Sequence, residues 1–100
     1  MPIQEVRETP FKPLEGQAHQ SATLAATVLT LNTPTAAQEI VVQAVTENIR
    51  FTMDGTAPSA TFGFQLVAGN VPVQITITQF TTLRFFREAA GAILEYQYGD

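Results

Sequence analysis

Residue types able to do acid–base or nucleophilic chemistry are scarce in this chain of 100 residues. His19 is the single histidine, and there is no cysteine. A hydroxyl nucleophile would have to be Ser21 or Ser59, and neither lies in a strained strand-to-helix turn of the G-x-S-x-G kind. The carboxylates are dispersed: Asp54 falls in a turn, while Glu47, Glu88 and Glu95 fall near strand ends. Zinc and calcium sites need several ligands at fixed spacings, which one histidine and scattered acids do not provide. Gly63 and Gly69 stand alone and Gly91 sits in an alanine-rich connection, so no phosphate-cradling loop is formed. These residues predict a non-enzyme with no metal and no cofactor.

Rings offer a different chemistry, because an exposed aromatic face stacks on sugars or on a partner's apolar surface. The chain has seven Phe, two Tyr and no Trp. Phe51, Phe62, Phe64 and Phe85 fall on the apolar phase of their segments and are assigned to the core. Phe80, Phe86, Tyr96 and Tyr98 are less committed. Tyr98 is the best candidate for an exposed ring, either in a glycan platform or in a subunit contact.

Charged residues make up 14% of the chain, against about 25% in ordinary soluble domains. Threonine and glutamine stand in for them, with 14 Thr and 9 Gln. Five charges fall in the first fifteen residues, and none lies from Gly16 to Gln38 or from Gly55 to Leu83. Uncharged, threonine-rich strands fit sheet faces that pack on other subunits, and they equally fit the plain strand preference of threonine. The net charge of -4 excludes a basic field for nucleic acid. No apolar run approaches the roughly 20 residues of a membrane span. Met1-Pro2-Ile3-Gln4-Glu5 lacks the basic-then-apolar order of a signal peptide, so the chain is expected to be soluble and made in the cytoplasm.

The elements that would position these residues divide into two parts. Residues 1–22, with Pro2, Pro10 and Pro13, show neither helix nor strand periodicity and predict an extended N-terminal arm. Phe11 and Leu14 are too few to build a core there and are assigned to contacts with a neighbouring subunit or partner. Residues 23–100 alternate with period two and are broken by turn residues every 8 to 12 positions. Seven strands are expected, over 23–31, 39–45, 48–54, 61–66, 71–78, 82–87 and 92–98, with a helical turn over Leu83–Ala90 as the alternative to the sixth. This predicts an all-β fold, an antiparallel β-sandwich or jelly-roll-like barrel. Its inward set is Leu29, Leu31, Ile40, Val42, Ile49, Phe51, Met53, Phe62, Phe64, Leu66, Val73, Ile75, Ile77, Leu83, Phe85, Leu94 and Tyr96. Asp54-Gly55, extended by Thr56-Ala57-Pro58-Ser59, is the strongest turn signal and predicts a hairpin.

That hairpin carries a resemblance. The segment from Ile49 to Phe64 places Asp54-Gly55-Thr56-Ala57-Pro58-Ser59-Ala60-Thr61 between two alternating strands. It resembles a D-G-T-x-P-[ST] hairpin of small tailed-phage virion proteins, and a similar hairpin occurs in β-sandwich modules of glycan-degrading enzymes. Leu66–Asn70 and Ala92–Tyr98 resemble the same virion family. Among its members, a free-standing domain of this size with an arm is similar to capsid decoration (cement) proteins. The resemblance implies a protein of the virion, on the capsid surface, that binds the major capsid protein as a homotrimer and stiffens the shell. Asp54, Gly55 and Pro58 carry over as loop-shaping residues only. The alternative is a carbohydrate- or receptor-binding module of a tail fibre or baseplate, with Phe80, Phe86 or Tyr98 exposed.

Overall fold

The computed structural model describes residues 11–100. Eight strands follow one another: β1 (Gln20–Thr23), β2 (Leu29–Thr30), β3 (Glu39–Val45), β4 (Ile49–Thr52), β5 (Phe64–Leu66), β6 (Val73–Thr76), β7 (Arg84–Arg87) and β8 (Ile93–Gly99). They form two four-stranded antiparallel sheets, ordered β1-β8-β3-β6 and β2-β7-β4-β5. The pairs β1 with β8, β2 with β7, β3 with β6 and β4 with β5 nest inside one another. The chain is therefore one long hairpin rolled up, with the Asp54 loop at its tip. Rolling adds β3 on β8 and β4 on β7, which turns the ribbon into two sheets. Of the two expected all-β forms, this is the jelly-roll sandwich.

Alternation explains most of the packing. In β3 every second residue, Ile40, Val42 and Ala44, is buried, and in β8 Leu94 and Tyr98 face the same way. From the opposite sheet Ile49, Phe51 and Phe85 close the core, with Leu83 beside them. Leu83 and Phe85 are both fully buried two residues apart, a strand period that excludes the helical turn.

The expected strand over 23–31 is two strands in different sheets. Leu24 and Leu29 are five apart, so one continuous strand would point them to opposite faces. Crossing between sheets over residues 24–28 buries Leu24 and still packs Leu29 on the core. Leu24 thereby closes the side of the sandwich between β1 and β2. Residues 13–23, the C-terminal half of the expected arm, run antiparallel beside β8, through the Pro13–Gly99 bridge and then β1. The first ten residues of the arm lie outside the described residues.

Four expected core residues, Met53, Phe62, Phe64 and Val73, are exposed. Period-two alternation gives the face of a side chain but not whether a second layer covers it. These residues point inward from β5, β6 and the loop before β5, where both sheets end. Conversely, Leu24, Ala37, Ala44, Ala92 and Tyr98 are core residues outside the expected inward set.

The tip of the hairpin depends on one glycine. Gly63 has φ +121, and a Cβ there would lie 2.8 Å from the Phe51 carbonyl oxygen. Gly63→Ala is expected to cost on the order of 1–3 kcal/mol. Thermal unfolding should show a midpoint lower by several degrees; an unchanged midpoint would mean that β5 tolerates a side chain against β4.

Candidate functional site

The nominally reactive groups come together only loosely. His19 Nε2 lies 2.8 Å from Glu95 Oε1, and Ser21 is the strand partner of Glu95. All three stand on the outer face of the first sheet, with His19 and Ser21 exposed. The histidine bonds to the carboxylate rather than to the serine, so no base is aimed at a nucleophile. Ser59 caps the hairpin loop, accepting from the Thr61 backbone N–H at 3.3 Å. Among the described residues, no three of the His, Cys, Asp and Glu side chains cluster as metal ligands would.

The hairpin loop is firmly built. Asp54 Oδ1 accepts from the Thr56 N–H at 2.9 Å, and this bond holds its carboxyl below the usual range. Gly55 takes φ +88 beside it, and its carbonyl accepts from Arg84 Nη1 at 2.9 Å. Pro58 is buried. The Thr82 N–H donates to the Met53 carbonyl at 2.9 Å, fastening the loop to the segment before β7.

The three residues assigned to partner contacts lie together around the end of β8. Phe11 is half-buried, its ring over Gly99, which the Glu39 side chain also approaches. Leu14 packs against the core and its N–H donates to the Tyr98 carbonyl at 3.0 Å. Tyr98 is only 5% exposed and meets Tyr96 edge-on, with ring centroids 5.8 Å apart. Burial pushes its phenol above the ordinary value of 10.0, partly offset by a hydrogen bond with Thr33. Tyr98 is therefore not an exposed ring for a sugar or a partner. It shares the phase of Leu94 along β8, and that parity was the signal for the core. Phe86 is half-buried, and Phe80 is 81% exposed on the loop after β6.

The surface that does stand out is the open side of the sandwich between β5 and β6. Seven large hydrophobic side chains are exposed among the described residues. Six of them, Met53, Phe62, Phe64, Val67, Val71 and Val73, lie along this side. A shallow, open depression of about 440 Å³ lies between the two edge strands, lined by Phe51, Met53, Phe64, Val73, Ile75 and their neighbours, with no charged side chain among them. Met53 and Phe64 continue it into a hollow under the hairpin loop, and Val73 into a small one beside Val67 and Val71.

Two devices hold this side in shape. Phe85, Phe51 and Phe64 form a ladder of rings across three strands, with centroids 5.7 Å and 5.6 Å apart, so the fully buried Phe85 supports a Phe64 that is 62% exposed. On the outer face, Glu88 Oε2 accepts from Arg50 Nε and from Gln65 Nε2, each at 2.7 Å, while Arg50 Nη1 donates to the Gly63 carbonyl at 3.0 Å. These bonds pin the three-residue strand β5 to its sheet. A rigid, half-exposed ring inside an apolar strip has the character of a binding hot spot.

No family model matches the chain, and no curated protein does. Among solved structures it is similar to one chain from a study of Bacillus endospore appendages, described as "a novel family of disulfide-linked pili". The likeness covers 99% of this chain and 98% of that one, at 14% identity and a TM-score of 0.43. A likeness that slight carries no argument about function.

Two outcomes follow from the site. The Gln65 hydrogen bond, then Arg50, holds the Glu88 carboxyl below its ordinary 4.5. A lowered folded-state value means stability that is complete above 4.5 and lost as pH falls through the folded value. Glu88→Gln should cost about 1 kcal/mol at neutral pH, and the gap from wild type should shrink below 4.5 in denaturant titrations. Phe64→Ser should leave the fold intact and sharply reduce binding of a hydrophobic fluorescent dye; undiminished dye binding would put the apolar surface elsewhere.

Proposed function

We propose that this chain is a structural subunit acting by adhesion in a multi-copy assembly, and specifically a capsid decoration protein of a tailed phage. In this reading it is not an enzyme and carries no cofactor. Its place is the outer surface of the head, its partner is the major capsid protein, and it works as a homotrimer that stiffens the shell.

The observation that supports this reading is the open β5–β6 side. Six exposed apolar side chains gathered along one side of a 100-residue domain are a surface made to be covered. Scarce charge fits the same use, since charged groups are depleted from interface cores. The D-G-T-x-P-S hairpin, whose following residues supply Phe62 and Phe64, supports the phage assignment by resemblance. Against the glycan-binding alternative, Tyr98 is buried and Phe86 is half-buried.

The test is co-sedimentation with undecorated capsids assembled from the same phage's major capsid protein, together with imaging of particles with and without the protein. Saturable binding to the shell is expected, weakened at least tenfold by Phe64→Asp, which places an unpaired charge in the strip. An absence of density on the head, with no sedimentation, would sink the assignment.

A further inference from the structure

The open side between β5 and β6 carries its own complement. Its two flanks differ in bulk, with Phe62 and Phe64 on the β5 flank and the smaller Val71 and Val73 on the β6 flank. A ring flank laid on itself holds the valine flanks apart. Rings laid on valines fill the space between two copies, as the dense packing of an interface core requires. The depression between the flanks is open, so it admits a broad surface.

Charge selects a like partner. The chain carries a net charge of -4, so two copies repel one another on average over their surfaces. No charged residue falls between Gly55 and Leu83, the stretch that holds both flanks. Arg50 and Glu88, which fasten β5 from the outer face, pair with each other at 2.7 Å. Asp54, which lines the adjoining hollow, is bonded to the Thr56 N–H of its own loop. Such a surface meets its own copy without a like-charge penalty, and it offers a charged partner no opposite charge to pair with.

The area is that of a subunit contact. At roughly 150–200 Å² for a fully exposed large side chain, the six exposed apolar residues of this side present about 500–600 Å². A standard interface covers about 800 Å² on each partner, somewhat over half of it apolar. Both flanks are also sheet edges, and a β5 brought beside a neighbour's β6 would give each an edge to pair with.

We infer that copies of this chain dock on one another through this side, the β5 flank of one on the β6 flank of the next, with Phe64 against Val73. This rests on the reading of the protein as a homotrimer and supplies the contact that its three copies repeat around the axis. Sedimentation should give the full chain a mass of three copies. Phe64→Asp and Val71→Asp should each reduce it to one copy with the β-sheet circular dichroism unchanged. Val71 is 82% exposed, so its replacement tests the contact without disturbing the core. The absence of cysteine allows a second readout. Phe62→Cys on one chain and Val73→Cys on another, of distinguishable mass, are mixed and treated with a short bismaleimide; a mixed cross-link is expected to dominate. A full-length monomer, an oligomer that both aspartate variants leave intact, or cross-links only between like positions would overturn the inference. A monomer that still saturates capsids would refute this contact and leave the decoration reading standing. A trimer cross-linked as expected that ignores capsids would do the reverse.

Discussion

The structure depends on one topological constraint, the nesting of four strand pairs around a single hairpin tip. Nesting pairs β1 with β8 and β4 with β5, and it leaves β1, β2, β5 and β6 as sheet edges. The two sides of the sandwich then differ only in their connections. On one side, residues 24–28 cross between the sheets and drop Leu24 into the gap. On the other, residues 67–72 cross with Val67 and Val71 turned outward, so among the described residues nothing covers the ends of the two layers. The apolar strip follows from that difference, since Phe64 and Val73 point inward in phase and meet no opposite layer.

The local interactions are arranged to keep this unfinished side rigid. β5 is three residues long and would fray from its sheet if held by backbone bonds alone. The ring ladder from Phe85 through Phe51 supports it from inside, and Glu88, bridging Arg50 and Gln65, fastens it from outside. Gly63 lets the chain pass close to Phe51 just before β5 begins. Order in an exposed ring lowers the entropy lost on binding, because the side chain is already held near one conformation.

How much of this was legible in the sequence follows from what alternation measures. The two-residue period from Ile40 to Ala44, or from Leu83 to Phe85, was enough for strand, phase and core. Asp54-Gly55 was enough for the hairpin tip, because its chemistry is local. Edges are not local: whether Phe64 is covered depends on which strand ends up across from it, and that is decided by pairings such as β3 with β6. The same non-locality misplaced Tyr98, whose nearness to the chain end argued for exposure although residues 12–14 cover it from the other end of the chain. The split of residues 23–31 was readable in principle, from the odd spacing of Leu24 and Leu29.

A bare apolar edge is a hazard to any soluble protein, because it templates pairing with whatever strand comes near. Sheet proteins ordinarily blunt such edges with lysine, inward charges or proline. Here Pro72 precedes β6, but no charged residue falls between Gly55 and Leu83, the stretch that holds β5 and β6. The charges are instead concentrated before residue 16 and from Arg84 onward. A domain of this size buries only about two-thirds of its unfolded surface and has little stability to spare for such an exposure. The strip is therefore unfavourable to the isolated chain and is compensated only when covered.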